Sequence, residues 1–107
     1  MQAHSPLRDN ILSQLREIVV TQLSSEKVRV YLFGSWARQE EKQSSDIDIA
    51  IEIERPIDST KWNDFIEKIE ESTIPYRVDV VDLRHASPQL VEKVKEEGIL
   101  WKDCVND

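Results

Sequence analysis

Asp46 and Asp48 stand two residues apart in the run Ser45-Asp46-Ile47-Asp48-Ile49. Two carboxylates so spaced on an extended strand leave it on the same face, with Cα atoms about 6.6 Å apart at ~3.3 Å per residue. Like charges this close raise each other's pKa and cost stability. A divalent cation removes that cost, and an all-oxygen donor pair suits Mg2+ or Mn2+. Taken alone, the pattern is more often two solvated acids on an exposed strand face. Upstream, Gly34-Ser35 follows the run Val28–Phe33. A residue without Cβ lets the backbone approach a ligand, and N–H groups at a helix start can hold phosphate oxygens. The Ser35 hydroxyl adds a donor. Taken together, an apolar run, Gly-Ser, ten residues and then Asp-Ile-Asp-Ile would put a phosphate cradle and a metal site on neighbouring elements.

Those residues must be positioned by their neighbours. Ile47, Ile49, Ile51 and Ile53 alternate with Asp46, Asp48, Ala50, Glu52 and Glu54, which predicts a strand with one face in the core. Ser5-Pro6 should open a helix carrying Leu7, Ile11, Leu12, Leu15, Ile18, Val19 and Leu23 at helical spacing. Val28–Phe33 has the β-rich composition of a largely buried strand. The polar segment Ser35–Ser45 suits a short helix and then a loop. A second helix begins near Asp58 or Ser59, either of which could cap it, with Trp62, Phe65, Ile66 and Ile69 on one face. Arg77–Leu83 predicts a third strand, and Ser87-Pro88 opens a third helix with Leu90, Val91 and Val94 inward and Gly98 as its C′ residue. Ile99–Trp101 suits a short last strand. The order α-β-(α)-β-α-β-α-(β), without repeats or linkers, predicts one domain over 1–107 of α+β (mixed α/β) class.

Composition narrows the function. The chain has 107 residues, 14 Lys+Arg against 21 Asp+Glu and a net charge of −7, which argues against a nucleic-acid coat or adsorption to anionic membranes. One cysteine, no apolar leader in residues 1–10 and no run of membrane-span length predict a cytoplasmic protein. Cys104 reads as incidental, and His4 and His85 lack metal-ligand spacing. Trp62 suits core; Trp36 and Trp101 suit core first and a partner surface second. Glu67, Lys68, Glu70 and Glu71 read as a solvated helix face.

The stretch Gly34 to Glu52 (GSWARQEEKQSSDIDIAIE) resembles the nucleotidyltransferase motif of the DNA polymerase β superfamily and, more narrowly, the minimal nucleotidyltransferases that pair with a HEPN-domain ribonuclease as its antitoxin. The resemblance covers nearly the whole chain. It implies a palm-like fold, a small mixed sheet flanked by helices. It also implies ATP as substrate and a third carboxylate in an apolar-Asp-apolar strand, which lands on Asp79 between Val78 and Val80. Asp82 is the competitor and faces the opposite way by strand parity; Asp79, flanked by valines, is expected to be the more enclosed.

By the same resemblance Asp46, Asp48 and Asp79 would hold two Mg2+ or Mn2+ ions. Asp79 would orient or deprotonate an acceptor hydroxyl, and Gly34, Ser35, Arg38 and Ser45 would bind nucleotide, with Lys42 as a further possible contact. The reaction would move AMP from ATP to a tyrosine of a HEPN-type toxin, in a hetero-oligomer with no direct nucleic-acid or membrane partner. A contact-only binding subunit and an enzyme for small molecules such as aminoglycosides are the rivals; the latter carry an acceptor-binding helical domain that this length does not accommodate. Relatives usually have Gly where this chain has Gln39. If that position needs positive φ, Gln39 costs roughly 1 kcal/mol, so the loop is expected to take a different path.

Overall fold

The computed structural model describes residues 6–42 and 44–104. Among these described residues four strands and three helices follow in the order α1 (Pro6–Gln22), β1 (Val28–Phe33), β2 (Ile47–Ile53), α2 (Ser59–Glu70), β3 (Val78–Asp82), α3 (Pro88–Glu97) and β4 (Ile99–Lys102), with a 3-10 turn at Leu83–His85 between β3 and α3. The α+β expectation therefore holds in every element except the short helix after Gly34. The predicted Ser5 cap lies outside the described residues.

The strands form one mixed sheet in the order β3-β2-β1-β4. β1 pairs antiparallel with β2 and β4, and β2 pairs parallel with β3. This corrects one expectation. The strand carrying Asp48 is interior, with both backbone edges paired, and its second face is covered at Ala50 while Asp48 and Glu52 stay partly exposed. On one side Ile47, Ile49 and Ile51 are buried with Val28, Val30 and Leu32 of β1, Ile11, Leu15 and Val19 of α1, and Phe65 and Ile69 of α2. Each such side chain contributes about 1.5–3 kcal/mol by leaving water. On the other side Ala50 is fully buried under Val94 of α3 and Leu83, beside Tyr31, Phe33 and Val81. A strand whose second face alternates Asp, Ala and Glu reads as half-solvated; the small Ala50 is where α3 sits down.

Helix ends follow the sequence in part. Ser87 caps α3 through its hydroxyl, which accepts from the Leu90 N–H at 3.2 Å. Asp58 is the N-cap residue of α2, but its side chain makes no capping bond. Gly98 is not the left-handed C′ residue expected, since its φ is −71. It is glycine for space: an added Cβ would overlap the Val94 carbonyl and press on Tyr31. Trp36 and Trp101 are both core, at 2% and 8% exposure, so neither serves as a partner surface.

One core group had no sequence signal. Lys102 is buried, and its ammonium donates to the carbonyls of Glu26 at 3.0 Å, Val28 at 3.3 Å and Asp103 at 3.2 Å. Three carbonyl acceptors compensate the lost hydration and tie β4 to the entry of β1. Cys104 is buried as well, and that burial pushes its thiol pKa up, away from the reactive thiolate.

Candidate active site

The Gly34 turn and the D-x-D strand meet because β1 and β2 are antiparallel neighbours. Their register places Phe33 opposite Asp48, so the residue after Phe33 lies against the Asp48 side chain. Gly34 has φ +77, and a Cβ built on it would stand 2.5 Å from Asp48 Oδ2, 3.3 Å from Cγ and 3.4 Å from Cβ. The glycine is thus required twice, by its left-handed backbone and by the carboxylate lying over it. What approaches Gly34 most closely is this catalytic candidate itself.

Downstream of Gly34 the expected short helix is a single turn. The Ala37 and Arg38 N–H groups donate to the Gly34 carbonyl at 3.1 and 3.2 Å. The turn closes with Gln39 N–H to Trp36 O at 3.4 Å and Glu40 N–H to Ser35 O at 2.8 Å, the paired bonds of a Schellman motif. Its C′ residue is Gln39, at φ 59. The expected detour does not occur: the loop keeps the left-handed conformation, and Gln39 bears its cost. Gln39→Gly is therefore predicted to stabilise the protein by about 0.5–1 kcal/mol, less than the full left-handed penalty because glycine also frees the unfolded chain. Denaturant melts of the two proteins measure this, with no change in slope.

The turn is held from behind. Trp36 stacks edge-on against Tyr76 at 5.0 Å, and its indole N–H donates to Ser45 O at 3.3 Å. Arg8 lies over the Trp36 ring at 5.6 Å, donates to the Trp36 carbonyl, and pairs with Glu41 at 2.6 Å. Arg8 had no signal in the sequence, because its partners lie 28 and 33 residues away.

The third acid follows from the parallel pairing of β2 and β3. Asp79 is in register with Asp48, on the same sheet face, while Asp82 pairs with Ile51 and points to the opposite one. The parity expectation holds. The expectation about enclosure is overturned: the Asp82 side chain is 18% exposed and that of Asp79 39%. Asp82 is enclosed because it is structurally engaged, accepting from the Arg84 N–H at 2.9 Å as the cap of the 3-10 turn and pairing with the Arg84 guanidinium at 2.8 Å. That guanidinium and the backbone bond hold its pKa below the ordinary carboxylate value.

Charge gathers where the register predicts. The Asp48 pKa is raised, first by desolvation, then by the neighbouring charges of Asp79 and Asp46, with Arg38 pulling the other way. A carboxylate between two others is costly alone, and an oxygen donor set of this kind fits a divalent cation. The three side chains do not form a ready-made cage: among the described residues no three His, Cys, Asp or Glu groups stand close enough to hold a metal. Asp79 is turned to Arg77, 3.2 Å away.

The remaining candidates are placed unevenly. The Ser35 hydroxyl bonds to none of the described residues' atoms, as a ligand donor would require. Ser45 spends its hydroxyl on the Lys42 N–H at 2.8 Å, closing a turn, and Lys42 is exposed. Arg38 bridges Glu40 at 2.9 Å and Glu97 of α3 at 3.5 Å, which joins the turn to the end of the covering helix. His85 is exposed and stands 3.9 Å from Asp82. A cavity of about 250 Å³ between α1, the turn and β4 lies on the other side of the turn and is lined by Arg8, Leu12, Trp36 and Trp101, with none of the three acids.

The polymerase β nucleotidyltransferase family model matches residues 13–103, a span that includes Gly34, both D-x-D acids and Asp79. The chain belongs to that family. It is 33% identical over 95 residues to the protein adenylyltransferase MntA of Shewanella oneidensis, covering 84% of this chain and 68% of that one. Its fold matches a toxin-antitoxin structure containing AMP-PNP at a TM-score of 0.64 and 30% identity, covering 82% and 73% of the two chains. A structure of the tri-AMPylated Shewanella oneidensis HEPN toxin with its minimal nucleotidyltransferase antitoxin matches at 0.59 and 28%, covering 85% and 71%. Among the described residues of this nucleotidyltransferase, no helix is long and apolar enough to cross a membrane.

Proposed function

We propose that the chain is a protein adenylyltransferase that moves AMP from ATP to a tyrosine hydroxyl of a HEPN-type toxin and so acts as its antitoxin. The observation that carries this reading is the stacking of Asp48 over Gly34 with Asp79 alongside in register. The AMP-PNP and AMPylated-toxin neighbours supply the nucleotide and the acceptor by analogy.

Asp46, Asp48 and Asp79 would hold Mg2+ or Mn2+. When bound, such a cation lowers the pKa of an acceptor hydroxyl and stabilises charge on the leaving pyrophosphate. The chain's own residues do the rest. Gly34 lets the triphosphate and Asp48 share a space that a side chain would fill, and Ser35 offers its hydroxyl to a phosphate oxygen. Asp79 accepts the proton of the acceptor hydroxyl as that oxygen bonds to the α-phosphorus and the α–β phosphoanhydride bond breaks. These acids lie on the open end of a sheet face, so a partner chain would supply the wall that holds the acceptor.

Co-expression with the product of the adjacent gene, followed by incubation with α-labelled ATP and Mg2+, tests the reading: label appears on the partner. Tight co-purification without label would instead mean neutralisation by contact, and label only on added aminoglycosides would mean a small-molecule enzyme. The same assay separates the two acids of β3. Asp79→Asn is predicted to lose about 10²–10⁴-fold in transfer with little change in melting. Asp82→Ala is predicted to cost about 1 kcal/mol of stability through the lost cap while activity per folded molecule persists.

A further inference from the structure

We infer that Arg77 is a built-in counter-cation for Asp79, holding its carboxylate while no divalent cation is bound and yielding it when one arrives. The inference rests on the metal site proposed above. Arg77 Nε stands 3.2 Å from Asp79 Oδ1, and a guanidinium stays charged at any physiological pH. Its backbone is fixed by the D-x-D strand: the N–H of Ile47, the residue between Asp46 and Asp48, donates to the Arg77 carbonyl at 2.9 Å. Its side chain is 76% exposed. The arginine is therefore anchored by its backbone at the metal-binding end of the strand and open to solvent at its tip.

Arg38 also acts on the acids, opposing the rise in the Asp48 pKa, but its guanidinium is shared with Glu40 and Glu97; Arg77 is the cation that meets Asp79. Asp48 faces the charges of Asp79 and Asp46 with Arg38 opposing them, and Asp79 has its own cation in Arg77. The Asp79 carboxylate meets Arg77 two residues back, while its charge still raises the Asp48 pKa. A divalent ion arriving at Asp46 and Asp48 must repel the guanidinium and take over Asp79, so Arg77 sets the threshold for metal binding.

Titration of the 107-residue protein with Mn2+, read by the electron paramagnetic resonance of the free ion, tests this without reference to activity. Arg77→Gln is predicted to bind Mn2+ about three- to tenfold more tightly than the unsubstituted protein at low salt, the scale of one charge acting on a dication at roughly 7 Å in a solvent-screened site. Arg55→Gln, which removes an equal charge far from the acids, is predicted to leave affinity unchanged. Equal or weaker binding by Arg77→Gln, or equal tightening by Arg55→Gln, overturns the role of Arg77. If the unsubstituted protein binds Mn2+ no better than Asp48→Asn, the metal site itself fails, and the role of Arg77 with it.

Discussion

Asp48→Asn is expected to abolish adenylyl transfer, by at least about 10³-fold or ~4 kcal/mol of transition-state stabilisation, while the metal-free protein becomes more stable. The two effects have opposite signs because they share a cause. The Asp48 side chain is half-buried near two other carboxylates, makes no hydrogen bond to the described residues, and carries a raised pKa. An amide of the same shape removes the charge and loses no partner. After discounting for solvent at a half-exposed site, relief of about 0.5–1 kcal/mol is expected, which corresponds to about 2–8 °C in Tm for a domain of this size.

The pH dependence has a definite sign. Between the ordinary aspartate pKa and the raised folded value, the folded state binds more protons than the unfolded one, so Asp48's contribution makes stability fall as pH rises through that window. Asp48→Asn lacks this component, so its advantage over the parent should be present at neutral pH and vanish as pH falls below the ordinary carboxylate range. Melts in EDTA across that range measure it. A variant that lost activity through misfolding would show a lower Tm instead.

Gly34→Ala is expected to be the most damaging of the small substitutions. The left-handed backbone at φ +77 costs about 1–2 kcal/mol for any residue with a Cβ, and the new methyl occupies the place of the Asp48 carboxylate. Something must shift, and Asp48 is what lies there. A displacement near 1 Å is worth about 10²-fold in rate, so transfer should fall by about that factor in the molecules that remain folded. Gly98→Ala is the matched control. It meets the Val94 carbonyl and Tyr31 rather than the acids, so stability should drop while activity per folded molecule survives.

How much of this could be read from sequence depends on whether a feature is local. The period-two isoleucines of β2, Ser87-Pro88 and the helical stripes of α1 and α2 act within a turn or a strand, and each appears where its pattern places it. The D-x-D spacing and the parity that separates Asp79 from Asp82 are equally local. What failed was what depends on distant neighbours. Ala50 lies under α3, and β2 proved interior, because β3 and α3 return from more than 25 residues away. Asp82 is more enclosed than Asp79 because Arg84 and a 3-10 turn fold over it; flanking valines report on neither. Gln39 keeps the left-handed turn because Arg8, Trp36 and Tyr76 pin the loop behind it, and those contacts outweigh roughly 1 kcal/mol of backbone strain. Lys102, Arg8 and Arg77 gave no signal, since each acts through carbonyls or carboxylates chosen by the fold.

Asp46, Asp48 and Asp79 are proposed to form one metal and nucleotide site. Anomalous diffraction from crystals grown with Mn2+ and a non-hydrolysable ATP analogue tests it most directly. The predicted result is manganese density bounded by all three carboxylates, with the triphosphate running past Gly34 and Ser35. Manganese bound elsewhere, or a nucleotide seated away from Gly34 with the three acids uncoordinated, would contradict it.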